Sequence, residues 1–256
     1  MRRFALPLVI LGCVLLAALL TWVALSKASF GGRAPRAEAG EPTVTEAMPA
    51  FKRLDVSGTA ELLLVQGDVE SVALPVRSRK KGFVTAEVRD GTLYVESEDN
   101  SRWWDMVFGS DSNRTPQVVV TFKGIEDIAA AGTVKLTAGA FKATDLRVAG
   151  AGGTYIKIDD LTAQQLRLSG AGALRADVAG RVVDQTVTLS GAGEYRAGKL
   201  VSQNATVTVA GAGKVLVNAQ KTLKATISGA GSVDYIGNPQ VTERVSGVGS
   251  VSRRRD

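Results

Sequence analysis

Apolar and polar residues alternate with a period of two through the C-terminal half of the chain, around a recurring glycine. The residue two positions before that glycine is always apolar, and the residue three positions before it is always polar. Such alternation is typical of a β-strand with one buried face. The apolar residues two positions before the glycine are Val148, Leu168, Leu189, Val209, Ile227 and Val245.

Each copy of the pattern surrounds a Ser-Gly-Ala-Gly unit or a close variant of it. A degenerate copy, Ala129–Gly132, precedes the others. A unit of this length provides a strand, a corner and a second strand, but it cannot bury its own apolar face. Stacked units would share a continuous core, so the sequence predicts an all-β fold, a parallel β-solenoid of ~20-residue coils. The first glycines are Gly150, Gly170, Gly191, Gly211, Gly229 and Gly247, at intervals of 18 to 21 residues.

The alternation also predicts where the small residues of each unit point. If the apolar positions face inward, both glycines of the unit should face inward too, where a tight bend leaves no room for a side chain. The flanking Ser and Ala residues, among them Ala171, Ala192 and Ala212, should then form an outward stripe of small side chains. This stripe is either the plain outside of a corner or a flat packing surface for a partner or a second copy.

The chain before the repeat also has the pattern of β-strands. Val56–Ala60 resembles the repeated unit, and Glu61–Val65 continues it as a strand. Val84–Val88 and Thr92–Glu96, joined by Asp90-Gly91, predict a β-hairpin with a tight turn.

Residues 99–116 interrupt the strand pattern, and we predict a loop there. The segment contains Trp103 and Trp104 among several polar residues. An exposed tryptophan pair would form a partner-binding patch. Alternatively, the pair covers an open end or side of the solenoid core. Trp103 and Trp104 are therefore the candidate partner contacts.

The N-terminus has the properties of a membrane or export segment. Residues 4–25 form an apolar run without a charge, and Arg2 and Arg3 precede it. A helix of this length could cross a bilayer core of ~30 Å, with the rest of the chain outside the cytoplasm. The sequence favours an uncleaved signal anchor over residues 1–25, and a signal peptide cleaved near Ser26 is the alternative. Residues 26–46 are rich in Ala, Gly, Pro and charge, which predicts a flexible linker before a head domain over 47–256.

The amino-acid composition limits the kinds of catalytic and binding site that the chain could form. The chain has 256 residues, a net charge of +6, no histidine and a single cysteine, Cys13. Histidine-based catalysis and an intrachain disulfide are therefore excluded. The glycine-rich units lack the further glycine of dinucleotide loops and the Lys-Ser/Thr of phosphate loops. Asp159-Asp160 is the only adjacent acidic pair within the repeats, and a solvated turn accounts for it. We predict no catalytic residue, no metal site, no cofactor and no nucleic-acid binding.

Several short motifs, in order, resemble the head GIN domain family, which carries the label of auto-transporter adhesins. The resemblance covers about residues 50–252. It implies a right-handed parallel β-helix that is exported from a bacterial cell and has no established activity. The degenerate unit Ala129–Gly132 and Thr121-Phe122 depart from the family pattern. The motifs are Val56-Ser57-Gly58, Val65–Asp68, Asp90–Leu93, the repeated Ser-Gly-Ala-Gly, Tyr235–Pro239 and Val245-Ser246-Gly247.

These observations predict a non-catalytic module of the bacterial cell envelope, acting as a scaffold, an adhesion domain or a binding head. Its partners would be the membrane through the N-terminal helix, an envelope protein or glycan, and a second copy of the chain. It would be anchored in the inner membrane with its body in the periplasm or outside the cell, or secreted after cleavage. The alternative is a carbohydrate-active β-helix enzyme, a polysaccharide lyase or hydrolase, which would need grouped carboxylates in a groove.

Overall fold

The computed structural model describes residues 43–75, 84–97 and 117–254. The predicted N-terminal helix, most of the predicted linker and the predicted loop with Trp103 and Trp104 lie outside these ranges. Within them, no helix has the length and apolarity that crossing a bilayer requires. Residues 43–46 of the predicted linker belong to the first strand.

The described residues form a single sheet system of thirteen strands. Two predictions are confirmed here: the strand through residues 56–65 and the hairpin on either side of Asp90-Gly91. Asp90 and Gly91 have φ values of 49° and 69°, as a tight hairpin turn requires. The strands are β1 (Thr43–Ala47), β2 (Arg53–Gln66), β3 (Ser71–Pro75), β4 (Val84–Arg89), β5 (Thr92–Ser97), β6 (Gln117–Phe122), β7 (Asp127–Lys142), β8 (Asp145–Gly191), β9 (Glu194–Gly211), β10 (Lys214–Gly229), β11 (Ser232–Ile236), β12 (Gln240–Gly247) and β13 (Ser250–Arg253).

The strands stack as a parallel β-solenoid, as predicted. From β2 onward the order is β2-β7-β8-β9-β10, with β11 and β12 on β10 and β13 on β11, all in parallel. The first rung in space is made of β5 and β6, which lie on the other side of β2 from β7. The chain therefore forms its second rung before its first, an arrangement that local sequence patterns do not report.

Antiparallel strands cover the N-terminal end of the solenoid. Strand β3 pairs antiparallel with β6, β1 pairs antiparallel with β3, and β4 pairs antiparallel with β5. These strands protect the first rung, whose backbone edge would otherwise be open. An edge-to-face pair of Phe122 and Phe141, with ring centroids 5.6 Å apart, lies inside this part of the core.

The interior is filled by the apolar positions that the alternation predicts. Val148, Leu168, Leu189, Val209 and Ile227 are all buried. Only Val245, in the last rung, is exposed. Stacked side chains of similar shape form continuous columns, so each rung buries the apolar face of its neighbours.

The prediction that both glycines of each unit face inward is wrong, because one glycine of each pair forms the bend itself. That glycine has a φ between +90° and +129°, which side-chain-bearing residues rarely adopt. The positive φ interrupts the strict alternation, so the bend glycine faces the surface while the other glycine faces the core. The bend glycines form one column: Gly58, Gly132, Gly152, Gly172, Gly191, Gly211, Gly229 and Gly247.

The bend moves from the second glycine of the unit to the first between Gly172 and Gly191. The size of the residues on either side of the bend decides which of the two glycines forms it. In the earlier rungs the inward position before the bend is Gly150 or Gly170, and Leu174 on the other side of the bend fills the space. In the later rungs the position before the bend is large and the position after it is glycine, as in Val209 and Gly213. Each rung has room for one large side chain at the corner.

The bend column should tolerate no side chain. A Cβ at Gly211, where φ is +129°, would lie 2.6 Å from the carbonyl oxygen of Gly191. We therefore expect Gly211→Ala to lower the free energy of unfolding by about 1–3 kcal/mol from backbone strain. Gly139→Ala is the matched control, because a Cβ there meets no atom within 4 Å and φ is not positive. Urea titration followed by circular dichroism measures both variants; equal midpoints would contradict the role of the bend.

Because each corner has room for one large side chain, substitutions at Val209 and Gly213 should have coupled effects on stability. A Cβ at Gly213 would lie 2.9 Å from Cγ1 of Val209, and its next neighbours are at 3.5 Å. Gly213→Ala should therefore cost roughly 1–3 kcal/mol by overpacking. In a Val209→Ala background the same change should cost at least about 1 kcal/mol less. A double-mutant cycle by urea titration measures the coupling, and additive effects would exclude it.

Candidate functional site

The outer side of the bend is a stripe of small residues, as predicted. Ala171, Ala192 and Ala212 are all exposed. Four successive rungs contribute only Ala, Ser and Gly at the bend and on either side of it: Ala151–Gly153, Ala171–Ala173, Ser190–Ala192 and Ala210–Ala212. Such a surface is flat and has few polar groups, so it lacks the side chains that specific polar recognition requires.

Charged side chains begin three residues after the bend and pair between rungs. Lys135 Nζ lies 2.8 Å from Glu61 Oε1 on the neighbouring rung. Arg175 donates two hydrogen bonds to Glu194 Oε2, at 3.1 and 2.8 Å. Parallel in-register stacking places these residues side by side, so opposite charges on successive rungs stabilise the register, each exposed pair by a small amount.

Arg196 connects the charged residues of two rungs. Its Nε donates to Glu194 Oε1 at 2.8 Å, and a terminal nitrogen lies 3.9 Å from Asp177 Oδ1. Tyr155 donates its hydroxyl to Asp177 Oδ2 at 3.2 Å. The hydrogen bond from Arg196, aided by Arg175, lowers the pKa of Glu194, so its carboxylate stays charged in moderately acidic solution.

A shallow groove of about 390 Å³ runs beside this network across four rungs. Its floor is made of Ala179 and Gly198, whose small size leaves the space open. Leu216 forms an apolar wall, because its Cδ2 lies 3.0 Å from where a Cβ of Gly198 would be. The charged rim consists of Lys157, Asp159, Asp177, Arg196 and Lys199.

The rim offers both donors and acceptors at fixed positions. Lys157 Nζ lies 2.9 Å from Asp159 Oδ1, and this hydrogen bond raises the pKa of Lys157. Lys199 is exposed and has no carboxylate partner among the residues that the structure describes. A polar ligand could therefore bind Lys199 without breaking an existing ion pair.

A polar network crosses the core beneath the surface. Tyr195 donates its hydroxyl to Gln185 Oε1 at 3.2 Å, and Gln185 Nε2 donates to Ser202 Oγ at 2.7 Å. Ser202 Oγ donates to the carbonyl of Asn218 at 2.8 Å. All three side chains are buried, and burial raises the pKa of Tyr195. Sequence reasoning missed this network, although Gln185 stands at an inward position of its strand, on the same parity as Val187 and Leu189.

The described residues do not assemble catalytic carboxylates in the groove. Asp159 is bound to Lys157, and Asp177 accepts from Tyr155 and lies near Arg196. Asp159 and Asp160 are both exposed, but they lie within strand β8 and not in the predicted turn. In ranges 43–75, 84–97 and 117–254 there is no group of three or more side chains that could hold a metal ion. Trp103 and Trp104 lie outside these ranges, so their role stays a prediction.

Three solved structures share the fold over nearly their whole length. A putative adhesin from Bacteroides fragilis has a TM-score of 0.73 at 18% identity, covering 85% of this chain and 98% of that one. A putative adhesin from Parabacteroides merdae has a TM-score of 0.63 at 17% identity, with the same coverages of 85% and 98%. A putative lipid binding protein from Parabacteroides distasonis has a TM-score of 0.58 at 20% identity, again covering 85% and 98%. These similarities show a common fold.

No curated protein matches the chain. The family model described as "Putative auto-transporter adhesin, head GIN domain" matches residues 50–239, which include every described strand from β2 to β11. The resemblance seen in the short motifs is thereby confirmed, and the chain belongs to the head GIN domain family.

Proposed function

We propose that the protein is a non-catalytic binding head of the bacterial envelope that recognises a polar ligand, a surface glycan, through its charged face. The observation that supports this most is the groove over Ala179 and Gly198, rimmed by ion-paired side chains on a rigid, filled solenoid. A sheet with a packed interior holds outward side chains in fixed positions, as a recognition surface requires.

The rim chemistry favours binding over bond cleavage. Glycosidases need one carboxyl group that keeps its proton at neutral pH and a second that is free to act as a base or nucleophile. In the groove, Asp159 is instead ion-paired with Lys157, and Asp177 accepts a hydrogen bond from Tyr155 and lies 3.9 Å from Arg196, so neither carboxyl group is free of partners. Paired carboxylates and cations suit hydrogen bonding to sugar hydroxyls, which both donate and accept.

The adhesin names of the family and of two similar structures support the same proposal. The Parabacteroides distasonis structure is named as a lipid binding protein. An acyl chain would need an apolar cavity, whereas the inward columns of the described solenoid are filled by buried side chains such as Leu168, Leu189 and Val209. We therefore propose a glycan as the ligand, bound on the outside.

Glycan binding should depend on the groove. Titrating the purified full chain against a panel of bacterial surface glycans should give at least one ligand by calorimetry. Lys199→Gln should weaken that binding by about tenfold, the loss of one charged hydrogen bond. Arg167→Gln is the matched control, because Arg167 is exposed, donates a hydrogen bond to the Gln165 side-chain oxygen and does not line the groove. Release of reducing ends from a glycan would overturn the non-catalytic assignment in favour of a carbohydrate-active enzyme. An equal loss of affinity in Lys199→Gln and Arg167→Gln would exclude the groove as the binding site.

We further propose that residues 1–25 anchor the head outside the inner membrane. The proposal is supported by the charge-free apolar run after Arg2 and Arg3 and by the adhesin family. The chain isolated from membranes should retain its original N-terminus by mass spectrometry and should be released only by detergent. A mature N-terminus near Ser26 would show a cleaved signal peptide instead.

A further inference from the structure

The groove proposed to bind a glycan has one more positive than negative charge in its lining. Asp159 Oδ1 lies 2.9 Å from Lys157 Nζ. Asp177 Oδ1 lies 3.9 Å from a terminal nitrogen of Arg196. Each carboxylate of the lining therefore has a basic partner within the groove, and Lys199 is left without one. The charged side chains of the lining are three basic residues, Lys157, Arg196 and Lys199, and two acidic residues, Asp159 and Asp177.

Two acidic residues on the same face, Glu194 and Asp234, lie outside this lining, and neither is an ion-pair partner of Lys199. Glu194 accepts hydrogen bonds from Arg175 and Arg196, each at 2.8 Å. Asp234 lies two rungs beyond Arg196 in the same column. Lys199 is exposed, and no carboxylate of the described residues lies within ion-pairing distance of it. It is therefore free to bind an anionic group of a ligand.

Next to Lys199 the groove has an apolar surface. Gly198 directly precedes Lys199 in the chain, and Leu216 Cδ2 and Ile236 Cδ1 lie 3.0 and 3.3 Å from where a Cβ of Gly198 would be. Both apolar side chains are half-buried, so part of each is open to solvent above the glycine. A ligand ring could therefore place its C–H groups against Leu216 and an attached anion beside Lys199.

One unpaired cation beside an apolar surface favours a sugar ring that has a single negative charge. A neutral sugar would make only neutral hydrogen bonds to the ligand-free groove positions, whereas a carboxylate would make a stronger, charge-assisted bond to Lys199. A densely sulfated or phosphorylated glycan would bring further anions close to Asp159 and Asp177, which like charges disfavour. We propose that the groove selects a glycan containing uronic acid, with a ring carboxylate on Lys199. This inference rests on the proposed function, since it names the class of glycan bound.

Matched acidic and neutral ligands test this selection. The probes are oligogalacturonate, oligomannuronate and hyaluronan fragments, each compared with its own methyl ester, which has the same rings but no carboxylate charge. Calorimetric titration of the purified full chain in mild detergent should show at least one acid binding about tenfold or more tightly than its ester. High salt should reduce that difference, because it screens the attraction between exposed charges. Heparin fragments, which are densely sulfated, should bind no more tightly than that acid.

Substitutions at Lys199 locate the selection. Lys199→Gln should weaken binding of the acid by about tenfold and leave binding of the ester unchanged, because the ester has no charge to pair with the ammonium group. A merely structural role of Lys199 would weaken the binding of both. Lys199→Arg should retain the preference for the acid. Lys224→Gln is the matched control, since it removes the same charge from an exposed lysine on β10 that does not line the groove. Circular dichroism checks that all variants fold.

The possible contrary results separate this inference from the proposed function. Equal affinities for every acid and its ester would exclude selection of uronic acid, while any glycan binding at the groove would leave the proposed function in place. Tighter binding of heparin than of every uronic acid probe, or equal losses in Lys199→Gln and Lys224→Gln, would show attraction to any polyanion and would also overturn the inference. Absence of binding to all glycans, acidic and neutral, would overturn both.

Discussion

The structure depends on a column of bends in which each rung leaves no space for a side chain on the next. At each bend from Gly132 to Gly247 the carbonyl oxygen of the glycine one rung away occupies the place where a Cβ would lie, as between Gly191 and Gly211. The positive φ at these positions would strain any other residue even without that contact. Close stacking and chain reversal therefore impose the same requirement at the same position. This explains why glycine recurs at this corner through rungs that otherwise differ in length and charge.

The sequence allowed the solenoid, its inward columns and the Asp90-Gly91 hairpin to be predicted, because period-two alternation and turn residues are local signals. It did not allow the choice of bend glycine to be predicted, since the two glycines of a unit are two residues apart and share the same parity. Alignment on the first glycine places Arg175 beside Arg196, a column of like charge. The structure instead places Arg175 beside Glu194 and Asp177 beside Arg196. The sizes of the flanking residues, Leu174 against Leu189, held the information needed to choose.

The other features that the sequence did not predict also depend on contacts between rungs. Strand β2 lies between β5 and β7 because the chain returns past its own start, and no repeat spacing reports such a return. The buried Tyr195, Gln185 and Ser202 network joins different sides of the core, so it becomes visible only when the coil is closed. The groove likewise requires four rungs in register before Ala179 and Gly198 can form one floor. Candidate sites on a solenoid are properties of neighbouring rungs, and single-rung patterns therefore predict the scaffold better than the site.

A solenoid is nearly one-dimensional, so each rung is stabilised by its two neighbours and a terminal rung by only one. In this protein the two ends meet that requirement differently. The N-terminal end buries its first rung beneath antiparallel strands, whereas all eight residues of β12 are exposed. Because the carbonyl oxygen of each bend glycine occupies the place of a Cβ on the next bend, the bend at Gly247 depends on the rung that contains Gly229, and that rung depends in turn on the one that contains Gly211.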